Sequence, residues 1–178
     1  MLLLFVVETK ESNDSDKMYI NKYLTTRYPQ VTPGANISVQ WVYMNGKTNY
    51  KNGSVCKKIT DKIAGYKRYP QHDDRIHVAY CIDIDSGAES KKLNKEIEEY
   101  CKDNEYHLIW FNKTVEQVFL GKLIHQSKNK KNEAISFLKR EMSKEGFCDE
   151  RYCLRELYES RLRTSNIGYV LESIFAHC

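Results

Sequence analysis

The run Leu2–Glu8, LLLFVVE, places six apolar residues in a row and closes on a carboxylate. That is too short for a membrane span, which needs about 20 apolar residues. It also lacks the basic leader and small-residue cleavage site of a secretory signal. An unbroken apolar run of this length suits a strand covered on both faces, as in a parallel sheet. Two later stretches read the same way: Ile76–Ile82, leading into Asp83-Ile84-Asp85-Ser86-Gly87, and His107–Phe111, leading into Asn112. Ile37–Met44 is rich in β-branched and aromatic residues and predicts another strand, ended by Asn45-Gly46.

Between these runs the apolar spacing turns helical. Helices are expected over Lys17–Arg27, over Ser54–Tyr66 with Ser54 as cap, and over Ser90–Asn104 with Leu93, Ile97 and Tyr100/Cys101 as the buried stripe. Further helices are expected over Val115–His125, Asn132–Lys144, Glu150–Leu162 and Ser165–Phe175. Strands alternating with helices predict an α/β fold, a parallel sheet of about four strands flanked by helices with a helical C-terminal part. The 178 residues are enough for a single domain with its own core. Its core is expected over about 1–125 and a helical extension over about 126–178.

Composition narrows the function little. The net charge of +4 permits contact with nucleic acid without demanding it. The 13 tyrosines are scattered and read as amphipathic residues at the edge of the core. Six cysteines show neither a CxxC pair nor zinc-finger spacing, so free thiols in a reducing cytoplasm are expected. Gly46-Lys47-Thr48 has the tail of a phosphate-binding loop without its glycines and reads as a turn.

In open α/β sheets ligands bind beyond the carboxyl ends of the strands. Glu8 stands at the first such end, Asp83 and Asp85 at the third, and Asn112 at the fourth, with Glu116 one turn into the next helix. Asp83 and Asp85, two apart, project to one side of an extended backbone. Carboxylates so close repel unless a cation or a shared proton intervenes. One reading is a Mg²⁺ site; the other is that the pair starts a turn and caps the following helix.

These residues carry a family resemblance. LFVVE, followed by TKESNDSD and KMYINKYL, resembles the opening Toprim motif, with Glu8 closing the strand and Asp16 opening the next helix. HVAYCIDIDSG resembles the second motif, an apolar strand ending in DxD. LIWFNKTVEQVFLGKL resembles a motif of the RloB-like and OLD-nuclease branches, through Asn112 and Glu116. Thr9 stands where the family has glycine, and Lys113 and Val115 where the branch has proline and an aromatic residue.

The resemblance implies a Mg²⁺- or Mn²⁺-dependent nuclease or phosphodiesterase acting on DNA or RNA, in a phage-defence or mobile-element setting. Glu8, Asp83 and Asp85 would be catalytic and would bind the metal. Asp16 and Glu116 would assist as ligands, with Asn112 in support. Lys122, Lys128, Lys130 and Lys131 form a basic stretch that would track a phosphate backbone, or be a solvated helix face. The alternative is a catalytically silent Toprim-like module that binds nucleic acid or a partner protein.

Overall fold

A computed structural model describes residues 1–31, 36–72, 74–124, 127–143, 145–156 and 162–176, with the side chains of 127 and 128 set aside. In chain order the elements are β1 (Leu2–Val7), α1 (Ser15–Arg27), β2 (Ser38–Tyr43), α2 (Gly53–Lys67), β3 (Ile76–Ile84), α3 (Ala88–Asp103) and β4 (His107–Asn112). They continue as α4 (Val115–Leu120), α5 (Ser127–Leu138), β5 (Thr164–Ser165) and α6 (Ile167–Phe175). The sheet order is β2-β1-β3-β4-β5, with every pairing parallel except that of β5 with β4.

The period of two along β1 explains why it is apolar throughout. Leu3, Phe5 and Val7 join Ala79, Cys81, Ile109 and Phe111 in a core shared with α1, α4, α5 and α6. Leu2, Leu4 and Val6 join Val78, Tyr80, Ile82 and Trp110 in a second core beneath α2 and α3. The residues of β1 are therefore completely buried from both sides. Among the described residues, no helix is long and apolar enough to cross a membrane.

Several expectations need correction. The sheet has a fifth, antiparallel strand of two residues, so its parallel part is four strands and the whole is mixed. The helix expected from Val115 stops at Leu120, because Gly121 takes a left-handed φ of 72° and returns its N–H to the Gln117 carbonyl. The cap of α2 is Asn52, whose side chain accepts from the Ser54 N–H. The helix expected over Glu150–Leu162 is a single tight turn at Glu150–Tyr152; residues 157–161 lie outside the described ones. Tyr152 is drawn into the core instead, and the Leu154 N–H bonds the Ser165 carbonyl. The tyrosines are not confined to the core's edge: Tyr19, Tyr23, Tyr80 and Tyr152 are fully buried, and the Tyr80 hydroxyl donates to the Tyr50 carbonyl at 3.0 Å.

Candidate functional site

The chain leaves β1 toward β2 on one side and later returns to β3 on the other. The carboxyl ends of β1 and β3 thus flank the topological switch point, where open α/β sheets place ligands. β1 pairs with β3 up to Val7↔Cys81, and β3 runs on to Ile84. Asp83 therefore extends beyond the end of β1 with its backbone open on that side. Two side chains close the gap. Glu8 Oε1 accepts the Asp83 N–H at 2.8 Å, and Lys47 Nζ donates to the Asp83 carbonyl at 2.6 Å.

The Asp83 side chain faces the helices. Its Oδ1 accepts the Val115 N–H, at the start of α4, at 2.9 Å. Thr114 caps the same helix, accepting the Gln117 N–H at 3.2 Å. That places Glu116 in the first turn, 1% exposed. Asp16, in the first turn of α1, accepts the Thr9 N–H at 3.3 Å and is also buried. Lys130 reaches in from α5 and pairs with Glu116 Oε1 at 3.0 Å.

Glu8, Asp16, Asp83 and Glu116 form one electrostatic unit. Burial, the largest influence, pushes Glu8 up to about 7; Lys47 opposes this and Asp16 and Asp85 add to it. Burial, then the Glu116 charge, raises Asp16 to about 7. Asp83 is raised well above the usual carboxylate range by burial and by Glu8, Asp16 and Glu116. Asp85 is different: it lies past the end of β3, its side chain is 57% exposed, and it pairs with Lys47 at 3.3 Å. It caps no helix, since the residue before α3 is Gly87 without a side-chain cap.

Asn112 is buried at the end of β4, paired there with Thr164 of β5. The basic stretch is dispersed in its partners. Lys122 pairs with Glu133 at 2.7 Å, Lys131 with the Ser12 carbonyl at 3.3 Å and Asp14 at 3.7 Å, and Lys130 with the carboxylate cluster. The Lys128 side chain lies outside the described residues. A cleft of about 720 Å³ reaches Glu8 and is lined also by Lys10, Asn13, Asn45, Gly46 and Lys131.

Lys47 is the residue that sequence reasoning missed. It follows β2, on the same rim, and its side chain is 9% exposed. The strand-end rule, applied to β2 as it was to the other three strands, leads to it.

The donor chemistry fits a divalent cation. Five carboxylates face two ammonium groups, and burial, with their mutual repulsion, raises Glu8, Asp16 and Asp83 above the usual carboxylate range. Mg²⁺ asks for oxygen ligands and usually takes one or two carboxylates, the rest being water and phosphate. Glu8 and Asp83 are two carboxylates at neighbouring strand ends, Glu8 with Oε1 on the Asp83 N–H and Asp83 with Oδ1 on the Val115 N–H. A cage built from all of Glu8, Asp16, Asp83, Asp85 and Glu116 is not preformed: among the described residues, no three acidic, His or Cys side chains are gathered at metal-holding distance. Comparison with family models, with curated proteins and with solved structures gives no match to this chain.

Proposed function

We propose that this chain is a divalent-metal-dependent phosphodiesterase acting on nucleic acid, with Glu8 and Asp83 as the principal metal ligands. The observation that carries this reading is the 2.8 Å hydrogen bond from the Asp83 backbone N–H to Glu8 Oε1, between residues 75 apart in sequence, at the sheet's switch point. Partly buried carboxyls held above the usual carboxylate range at a ligand-binding rim are the arrangement expected of a functional site. The Toprim-like motifs in the sequence supply the reaction class.

A bound Mg²⁺ would polarise a phosphoryl oxygen and ease deprotonation of a water. Glu8, lining the cleft, would hold the ion or take a proton from the attacking water through its carboxylate. Asp85, at the exposed outer edge, offers a further oxygen ligand once Lys47 turns from it to a phosphate. Lys10 and Lys131 line the approach to Glu8 and supply positive charge for a phosphate backbone.

The test is cleavage of single- and double-stranded DNA and RNA in Mg²⁺ and Mn²⁺. Wild type should cut at least one of them, and Glu8→Gln and Asp83→Ala should each lose on the order of 100-fold or more. Both variants cutting at wild-type rates would sink the assignment.

A second reading has its own support. Lys47 and Lys130 already neutralise part of the cluster, and Thr9 replaces the glycine of the motif. A silent module would turn over nothing in any metal yet bind nucleic acid with an affinity falling steeply with salt, or hold a partner protein.

A further inference from the structure

We propose that Lys47 is the positioning residue of the Glu8–Asp83 site: its buried ammonium holds the Asp83 backbone in place past the end of β1. The inference rests on the phosphodiesterase reading of that site and deepens it by naming what keeps the pair in register.

Within a strand, the N–H and the carbonyl of one residue point to the same neighbour. Those of Asp83 point toward β1, whose pairing with β3 stops at Val7↔Cys81. The Asp83 N–H donates to Glu8 Oε1 at 2.8 Å, and the Asp83 carbonyl accepts from Lys47 Nζ at 2.6 Å. One carboxylate and one ammonium thus stand in for the acceptor and the donor that a longer β1 would supply. On its other side Asp83 Oδ1 accepts the Val115 N–H at 2.9 Å.

Lys47 is itself built in. Its side chain is 9% exposed. Gly46, at a φ of 108° that favours glycine, gives its N–H to the Glu8 carbonyl at 2.8 Å. Asn49 Nδ2 donates to the Met44 and Asn45 carbonyls at 3.1 and 2.8 Å. The far end of the turn is tied to β3, where the Tyr80 hydroxyl donates to the Tyr50 carbonyl at 3.0 Å. The turn that carries Lys47 is therefore anchored to β1 and to β3, and the side chain crosses the end of β1 to reach Asp83. The 2.6 Å bond to the Asp83 carbonyl is shorter than the 3.3 Å contact with Asp85, whose side chain is 57% exposed. A hydrogen bond to a buried charge is worth more than an exposed ion pair, so Asp83 is the anchor and Asp85 the exchangeable partner. Without the ammonium the Asp83 carbonyl loses its donor, and the strand end is free to turn away from Glu8. A displacement of about 1 Å at a reacting centre can cost on the order of 100-fold in rate.

The experiment is amide hydrogen exchange, followed by nuclear magnetic resonance without added metal, with cleavage kinetics beside it. Lys47→Met, close in length but uncharged, should speed exchange at the Asp83 N–H about tenfold or more relative to the other β3 amides. Its kcat should fall on the order of 100-fold, with KM within about threefold of wild type. In Asp85→Asn the Asp83 N–H should keep its wild-type protection. On wild type, the Lys47 ammonium should show scalar coupling across its hydrogen bond to the Asp83 carbonyl.

A folded Lys47→Met with unchanged exchange at Asp83 would overturn the inference and leave the phosphodiesterase reading standing. So would a KM raised about tenfold with kcat intact, the sign of a lysine that only binds substrate. Loosening of Asp83 in Asp85→Asn as large as in Lys47→Met would overturn it too. A freely exchanging Lys47 ammonium would do the same, and needs no variant to fold. Wild type that cuts nothing in any metal would sink the phosphodiesterase reading, and the exchange measurements would then decide alone whether Lys47 holds Asp83.

Discussion

Glu8 follows a strand of wholly apolar residues, and its partly buried carboxyl lacks a full counter-charge. Its carboxyl moves from 4.5 to about 7 on folding, and Asp16 from 3.8 to about 7. Both folded-state values lie above the unfolded ones, so the native state holds more protons between about pH 4 and 7. The stability of the cation-free protein should thus be full below that window and fall as pH rises through 7. Glu8 alone contributes on the order of 3 kcal/mol of that loss. Urea midpoints at pH 5 and pH 7.5 in chelator should show wild type weaker at the higher pH. Glu8→Gln, neutral throughout and still able to accept the Asp83 N–H, should show a flatter profile. A wild type more stable at pH 7.5 would contradict the burial of these carboxyls. At this scale the sequence was informative where an acid directly follows an apolar strand, as for Glu8 and Asp83. Lys47, just past β2, was within reach of the same strand-end rule, but its bond to the Asp83 carbonyl depends on the length by which β3 outruns β1, a quantity fixed by pairing rather than by composition.

At the scale of elements, long periodic segments were legible and short ones were not. β1 and the amphipathic α3 follow from their patterns, whereas β5 has only Thr164 and Ser165 and no periodicity to read. What builds β5 is side-chain mimicry of a strand. Asn166 Oδ1 accepts the Trp110 N–H and its Nδ2 donates to the Leu108 carbonyl, both at 2.8 Å, so one amide fills two open positions on the edge of β4. Ser165 Oγ donates to the Trp110 carbonyl at 2.6 Å. Asn166→Ala should leave a buried N–H unpaired and cost about 1–3 kcal/mol, read as a lowered urea midpoint with unchanged slope. Asn166→Asp keeps the acceptor for Trp110 but sets a carboxylate against the Leu108 carbonyl, and should be worse than alanine. An alanine variant as stable as wild type would mean that β5 contributes nothing to closing the sheet.

At the scale of the whole molecule, the division into a core over about 1–125 and a helical extension can be tested by deletion. The three sequence motifs that suggested the division all lie in the first part, but motifs mark where chemistry sits and not where a core closes. One face of the sheet is covered by α1 and by residues that come late in the chain: Phe137, Phe147, Tyr152, Ile167, Leu171 and Ile174, all buried. Phe119 stacks on Tyr19 at 5.7 Å and on Tyr152 at 5.6 Å, and Tyr23 meets Phe147 at 5.0 Å, so the aromatic cluster spans both parts. Each such side chain is worth roughly 1.5–3 kcal/mol when buried. Six of them together rival the roughly 5–15 kcal/mol by which a whole domain is stable. A chain ending after Ile124 should therefore not fold cooperatively, because Tyr19, Tyr23, Phe111 and Phe119 would face water as one apolar patch. It should bind a hydrophobic dye, lack near-ultraviolet circular dichroism and give no urea transition. A truncated chain with a sharp transition would show that the later segments are an appendage, and Lys130, carried on one of them, could then not be a fixed part of the carboxylate site.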